Sequence, residues 1–174
     1  MTNTLPWFGV GVALSAVVGL AASGRVGRAL GIGRSVAWLL VMSLGLILSA
    51  TLTPLYRASE HASAGAAVCD FARIGLAPVS QLLTVNEASL NVLLFVPLGA
   101  GIGLIPRSRT KLAIVALAIG VPFAIETIQL IVPFLNRACQ SADIADNLTG
   151  LALGLAVGAL AGRAAAALAS GDGS

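Results

Sequence analysis

The side chains that could do chemistry in this sequence lie inside, or at the start of, long apolar runs. Glu126 and Gln129 are three residues apart within one such run. The other polar residues open two further runs: Asn91 opens one, and Asp143, Asp146 and Asn147 open the other. Carboxylates and amides bind polar headgroups through hydrogen bonds, and paired carboxylates can move protons. The residue types therefore allow either a binding site or an acid/base site.

Glu126 carries most of this argument because it lies deep in its apolar run. An ionised carboxylate that faced lipid there would cost several kcal/mol, so it must face the protein interior, a wet cavity or a basic partner. The nearest basic residue expected on its side is Arg137. A salt bridge with a purely structural role therefore stays open beside a functional role. For Asp143, a place in the first turn of a helix is an equally good structural explanation.

The composition indicates whether this protein lies in water or in a membrane. Hydrophobic residues make up 57% of the 174 residues and charged residues only 10%, as in an integral membrane protein. We predict a single all-α membrane domain over residues 1–174, a polytopic bundle of about five transmembrane helices. The predicted spans are about 5–22, 36–55, 89–105, 111–132 and 144–162, and the third is slightly short for a bilayer.

The basic residues predict the orientation of the bundle, because Lys and Arg collect in cytoplasmic loops. Seven of the ten fall on one side: Arg25, Arg28, Arg34, Arg107, Arg109, Lys111 and Arg163. The N-terminus is then outside, the C-terminus is cytoplasmic, and residues 56–88 form a long outer loop. Trp7, Trp38 and Tyr56 lie near span ends, as interfacial anchors do. The net charge of +3 is explained by these loops and does not require nucleic acid as a partner.

The first span resembles a signal peptide in length but not in charge. No basic residue precedes its apolar run and several follow it, which is the reverse of a signal peptide. We expect an uncleaved anchor. The last residues, 163–174, are rich in Ala, Gly and Ser and are expected to form a frayed tail.

Residues three or four apart share a helix face, and two predicted spans have such a stripe. The first stripe contains Asn91, Phe95, Gly99 and Gly103, and the second contains Asp143, Asn147, Gly150, Gly154, Gly158 and Gly162. Each stripe has polar side chains at its outer end and small residues deeper in the membrane. Glycine at every fourth position lets two helices pack closely in a membrane, so we expect these glycines to serve packing rather than binding.

Proline interrupts two of the spans. Pro97 and Pro122 each remove a backbone donor, so both helices are expected to bend and to leave a carbonyl free. Such groups are tolerated at membrane depth where protein or water satisfies them. Together with the polar ends of the stripes, this predicts a polar crevice that opens outward.

The two cysteines, Cys69 and Cys139, fall in outer loops and face an oxidising space. A disulfide between them and two unpaired thiols are both open, because spacing alone does not give their distance. The single histidine, His61, has no neighbouring ligands at metal-binding spacing, so we predict no metal site. No cofactor-binding motif is present in the sequence either.

Two segments, "NVLLFVPLG" and "ETIQLIVPFLNRACQSADIADNLTGLALG", resemble the VanZ-like family of membrane proteins, named after a teicoplanin-resistance factor. The resemblance covers about Thr51 to Gly162. The residues that match the family pattern are Asn91, Phe95, Pro97, Leu98, Gly99, Glu126, Gln129, Arg137, Asp143, Asn147 and Gly150. Many members have an additional acid at the position of Gln140, for which Asp146 is the alternative here.

The resemblance implies a multi-pass protein of the bacterial cytoplasmic membrane, linked to the cell envelope and to glycopeptide tolerance. Two functions are open. In the first, the outward crevice binds a lipid headgroup, a cell-wall precursor, a glycopeptide-related ligand or a partner protein, with Arg137 pairing an anionic group. In the second, an intramembrane enzyme uses Glu126 and Asp143 as acid and base. A transporter with Glu126 as a proton relay is disfavoured, because the sequence has no inverted repeat.

Overall fold

A computed structural model of the chain describes residues 7–54, 68–135 and 137–171. Within these ranges the α-helices are α1 (Phe8–Leu30), α2 (Arg34–Thr51), α3 (Val79–Leu82), α4 (Glu87–Gly103), α5 (Arg109–Ile131) and α6 (Ser141–Gly171). A short 3₁₀ turn, Pro133–Leu135, follows α5. Predictions that concern Tyr56, Arg57 and His61 fall outside the described residues.

The protein is an all-α polytopic bundle. In the part of the chain that the structure describes, four helices are long and apolar enough to cross a membrane: α1, α2, α5 and α6. The remaining apolar helix, α4, has 17 residues and matches the predicted span that was slightly short. Asn86 begins α4 with a capping box, in which its side chain accepts from Ser89 N and the Ser89 hydroxyl accepts from Asn86 N.

Two helices continue beyond the predicted spans. α1 runs to Leu30, so Arg25 and Arg28 lie on its last turns, and Gly31 ends it in the left-handed conformation with φ 64°. α6 runs to Gly171, so the expected frayed tail is wrong for residues 163–171. Alanine is the best helix former, and a helix can extend past the apolar stretch that crosses the membrane. Both α4 and α5 continue through their prolines, Pro97 and Pro122.

The predicted glycine stripes form the contact between α4 and α6. A methyl group on Gly103 would lie 2.6 Å from the carbonyl oxygen of Leu155 and 2.8 Å from the Cα of Gly158. Methyl groups on Gly99, Gly154 and Gly158 would likewise collide with backbone atoms of the opposite helix. The helices separate only at Gly162, where an added methyl group would lie 3.9 Å from its nearest neighbour, a side-chain atom of Leu104. The prediction that these glycines serve packing is therefore confirmed for the stretch up to Gly158.

The core lies where α2, α4, α5 and α6 meet. Its fully buried large side chains include Ile47, Phe95, Ile102, Ile125 and Leu151. α1 packs mainly on α2, where Gly11 lies opposite Ser49 and Gly45 lies opposite Ser15. α2 and α5 end, and α4 and α6 begin, at the same end of the bundle, which we call the polar end.

Candidate functional site

The polar end is organised around a loop segment attached to the start of α6. Cys69 and Cys139 are joined in a disulfide, and their Cα atoms are 4.6 Å apart. Beside it, Asp70 N donates to Cys139 O at 2.8 Å and Ser141 N donates to Asp70 O at 2.9 Å. The Ser141 hydroxyl also donates to Arg73 O at 2.7 Å. One covalent bond and three hydrogen bonds therefore fix this segment to α6.

Arg73 and Asp146 form an ion pair at this junction. The guanidinium donates to both carboxylate oxygens, at 3.0 Å from Nη1 to Oδ1 and at 2.5 Å from Nη2 to Oδ2. The Asp146 side chain is 1% exposed and the Arg73 side chain 27% exposed. The hydrogen bond to Asp146 raises the pKa of the Arg73 guanidinium, against the opposing effect of burial. Arg73 is therefore a firmly charged partner for a buried acid.

Glu126 is buried and has a backbone partner. Its side chain is part of a residue only 3% exposed, and Oε2 accepts from Gln140 N at 2.8 Å. That contact joins α5 to the start of α6. Among the described residues the structure has one ion pair, between Arg73 and Asp146, so the salt bridge between Glu126 and Arg137 that the sequence left open is not formed.

Arg137 instead binds the end of α2. Its Nε donates to Thr53 O at 3.2 Å and its Nη2 donates to Ala50 O at 2.5 Å. The last carbonyls of a helix have no partner within the helix and attract cations, which explains this position. Burial lowers the pKa of the Arg137 guanidinium, while the charges of Asp143 and Glu126 act in the opposite direction.

Gln129 makes a similar contact from α5. Its Nε2 donates to Thr51 O at 3.0 Å, and its Oε1 is buried with no hydrogen-bond partner among the described residues. The Oδ1 of Asn147, in a residue 1% exposed, is in the same situation. Asn91 is half-buried on α4. Glu126 and Asn147 are thus buried and Asn91 is half-buried, so none of the three has an exposed side chain.

An open cavity of about 400 Å³ lies at the polar end, between the loop segment, the start of α4 and the start of α6. Its polar lining is Arg73, Gln81, Asn86, Glu87, Gln140, Asp143 and Asp146. A second cavity, of about 260 Å³, is lined by apolar side chains only, from α1, α2, α4 and α5. The polar cavity is therefore the candidate site.

The structure divides the seven predicted binding residues into groups. Asp143 and Asp146 line the polar cavity. Gln129 and Arg137 hold the end of α2, and Glu126 holds the start of α6. Asn91 and Asn147 belong to neither set of contacts. The candidate acid and base, Glu126 and Asp143, therefore differ in access, because only Asp143 lines the cavity.

The other polar lining residues were not predicted as binding residues: Arg73, Gln81, Asn86, Glu87 and Gln140. For Arg73 a signal was present: it follows Cys69 by four residues, and Asp146 follows Cys139 by seven. Pairing the cysteines places the two charges within reach of each other. Gln81 and Glu87 carried no comparable signal, because their positions depend on the turn that precedes α4.

A family model described as VanZ/LLP1 matches residues 36–162, which is more than half of the chain. The match begins before the predicted limit at Thr51, so it includes most of α2, all of α3, α4 and α5, and α6 up to Gly162. α1 lies outside it. No curated protein and no solved structure matches the chain.

Proposed function

Because the chain belongs to the VanZ/LLP1 family, whose model matches residues 36–162, we propose that its polar cavity binds the headgroup of an envelope lipid or of a lipid-linked cell-wall precursor. The observation that carries this proposal is the cavity of about 400 Å³ beside helices that span the membrane. Its lining supplies carboxylates, amides and one guanidinium, which are directional hydrogen-bonding groups.

The charges of the lining favour a headgroup that contains an amine. Three acids, Glu87, Asp143 and Asp146, line the cavity together with one cation, Arg73. Among the described residues Arg73 is paired with Asp146, which leaves Glu87 and Asp143 without an ionic partner. An ammonium group would provide that partner. Anion capture by Arg137 is supported less, because this side chain binds the end of α2 and does not line the cavity.

Native mass spectrometry of gently extracted protein tests the proposal. We expect retention of an added phosphatidylethanolamine over a phosphatidylglycerol with the same acyl chains, because only the first carries an amine. Asp143→Asn should remove that preference by neutralising a lining acid. Asp70→Asn is the matched control, because Asp70 lies in the loop segment attached to the start of α6 but does not line the cavity.

Equal retention of the two lipids by the wild-type protein would contradict the amine preference. Failure to retain either lipid, in protein that is folded, would contradict headgroup binding itself.

We propose a link to glycopeptide tolerance on the family resemblance alone. Expression of the chain in a teicoplanin-susceptible bacterium should reduce susceptibility, and Asp143→Asn should restore it at equal protein level. Unchanged susceptibility with the wild-type chain at a verified level in the membrane would refute the link.

The acid/base alternative is supported less, because Glu126 lies outside the cavity lining and already accepts from Gln140 N.

A further inference from the structure

Residues 71–85 expose a large apolar surface although they lie outside the long helices. Six large apolar side chains in this segment are between 65% and 91% exposed: Phe71, Ile74, Leu76, Val79, Leu83 and Val85. Single exposed apolar residues are normal on a protein surface. Six within one short segment form a patch of the kind that marks an interaction site.

Three of the four polar side chains of the same segment contact the protein or line its cavity, whereas Ser80 is exposed. Arg73, which is its one charged residue, pairs with Asp146 of α6, and Gln81 lines the polar cavity. Thr84 accepts from the amide of Asn86, the residue that caps α4. The segment therefore has a polar side against the protein and an apolar side away from it.

Part of its backbone, the turn over residues 78–84, is hydrogen-bonded within the segment. Gln81 N donates to Pro78 O at 2.9 Å and Leu83 N donates to Val79 O at 3.1 Å, forming the single turn of α3. The Ser89 hydroxyl then donates to Thr84 O at 2.6 Å. A backbone near lipid must satisfy its polar groups internally, and this arrangement meets that condition for these groups.

The length of α4 gives the depth of the segment. At about 1.5 Å per residue, a helix of this size is roughly 26 Å long, and the hydrocarbon core is about 30 Å thick. The residues just before Glu87 therefore lie at or below the lipid boundary. Leu90 and Leu93, which follow on α4, are 54% and 63% exposed and continue the apolar surface into the spanning region.

We propose that residues 71–85 lie in the plane of the membrane interface at the polar end, with their six exposed apolar side chains in contact with lipid. On the orientation predicted from the basic residues, this is the outer leaflet. Lipid is the occupant, rather than a second protein, because exposed apolar side chains continue from the segment along the chain onto α4, at Leu90 and Leu93. It also has no outward charge that would select a protein partner. In-plane elements of this kind bury their apolar face about 5–10 Å into the boundary between headgroups and acyl chains.

Tryptophan fluorescence in vesicles tests this placement. Trp7 and Trp38 are first changed to Phe, after which Phe71→Trp and Val85→Trp each introduce one reporter. The full chain is reconstituted in phosphatidylcholine with and without bromine atoms near the carbonyl end of the acyl chains. Leu117→Trp, on an exposed face of α5, is the control for lipid contact, and Gln81→Trp is the control for a cavity position.

We expect both reporters to emit at short wavelength and to lose roughly half of their emission in brominated vesicles, as an interfacial depth of this size implies. The Gln81→Trp emission should be quenched clearly less. Emission at long wavelength that aqueous iodide quenches would overturn the proposal in favour of water. Emission at short wavelength that neither quencher reduces would overturn it in favour of a protein partner. Phe71→Trp exchanges one aromatic residue for another and should disturb the fold little. Thermal unfolding in detergent verifies that both reporter variants are folded.

Discussion

α6 is held in two different ways along its length. Away from the polar end, Gly99 and Gly103 of α4 lie directly against the backbone of α6, with no room for a methyl group. At the polar end, the buried Asp146 of α6 takes its partner from the loop, and Glu126 of α5 binds the backbone at Gln140. The glycine region is thus specified by two helices alone, whereas the polar region depends on segments that come from elsewhere in the chain.

The difference matters because the two regions respond differently to amino-acid substitution. Backbone contact through glycine leaves no atom that can move aside, so added volume is not tolerated. A network of side chains can lose one member and keep the others. The glycine region therefore sets the distance between the helices, and the polar region can vary in its chemistry on that frame.

Gly154→Leu should give the largest effect. The new side chain would meet the backbone at Val96 and Ala100, which cannot retreat without separating the helices. We expect a loss of about 3 kcal/mol or more, enough to prevent recovery of folded protein. Thermal unfolding in detergent, followed by circular dichroism, measures it. Val157→Leu is the matched control, because Val157 is 57% exposed on the same helix. Equal stability of the two variants would refute backbone contact.

Arg73→Ala should give the second-largest loss of stability, and this loss should be larger than that of Asp146→Ala. Removing the arginine leaves a carboxylate that is 1% exposed without its ionic partner, whereas removing the acid leaves a side chain that is 27% exposed and can reach water. We expect a loss of about 3 kcal/mol for the first and about 1 kcal/mol for the second. A double-mutant cycle on thermal stability gives the coupling between them. The reverse order, or no coupling, would contradict the ion pair.

The same comparison shows what the sequence could and could not predict. The glycine stripes were predictable because a helix has a fixed period, so Gly99 and Gly154 follow from spacing alone. The capping of α4 by Asn86 was predictable for the same local reason. Arg73 was not predicted, because a loop has no period and its position depends on the bond between Cys69 and Cys139. Arg137 was predicted to pair with an anionic group of a ligand, with a salt bridge to Glu126 left open, but the carbonyls at the end of α2 take its donors instead.

Replacing both Cys69 and Cys139 by Ser should have a smaller effect than Arg73→Ala. The bridge closes a loop of 70 residues, but the membrane already restrains the helices at both ends of that loop in the unfolded state. We expect a loss of about 2 kcal/mol, at the low end of the usual range. Thermal unfolding with and without a reducing agent measures it in the wild-type chain. Mass spectrometry without reduction provides the check: two alkylatable thiols on the native protein would contradict the bridge.

Glu126→Gln should have the smallest effect on stability and is the most informative about chemistry. The amide oxygen can still accept from Gln140 N, so we expect a change of about 1 kcal/mol or less, whereas Glu126→Ala removes the acceptor and should cost about 2 kcal/mol. If the carboxylate only holds the start of α6, the Gln variant keeps the lipid retention of the wild-type protein and the Ala variant weakens it through the displaced helix start. Full stability of Glu126→Gln with complete loss of function would contradict this structural role, because only a group that must ionise or carry a proton distinguishes the acid from its amide.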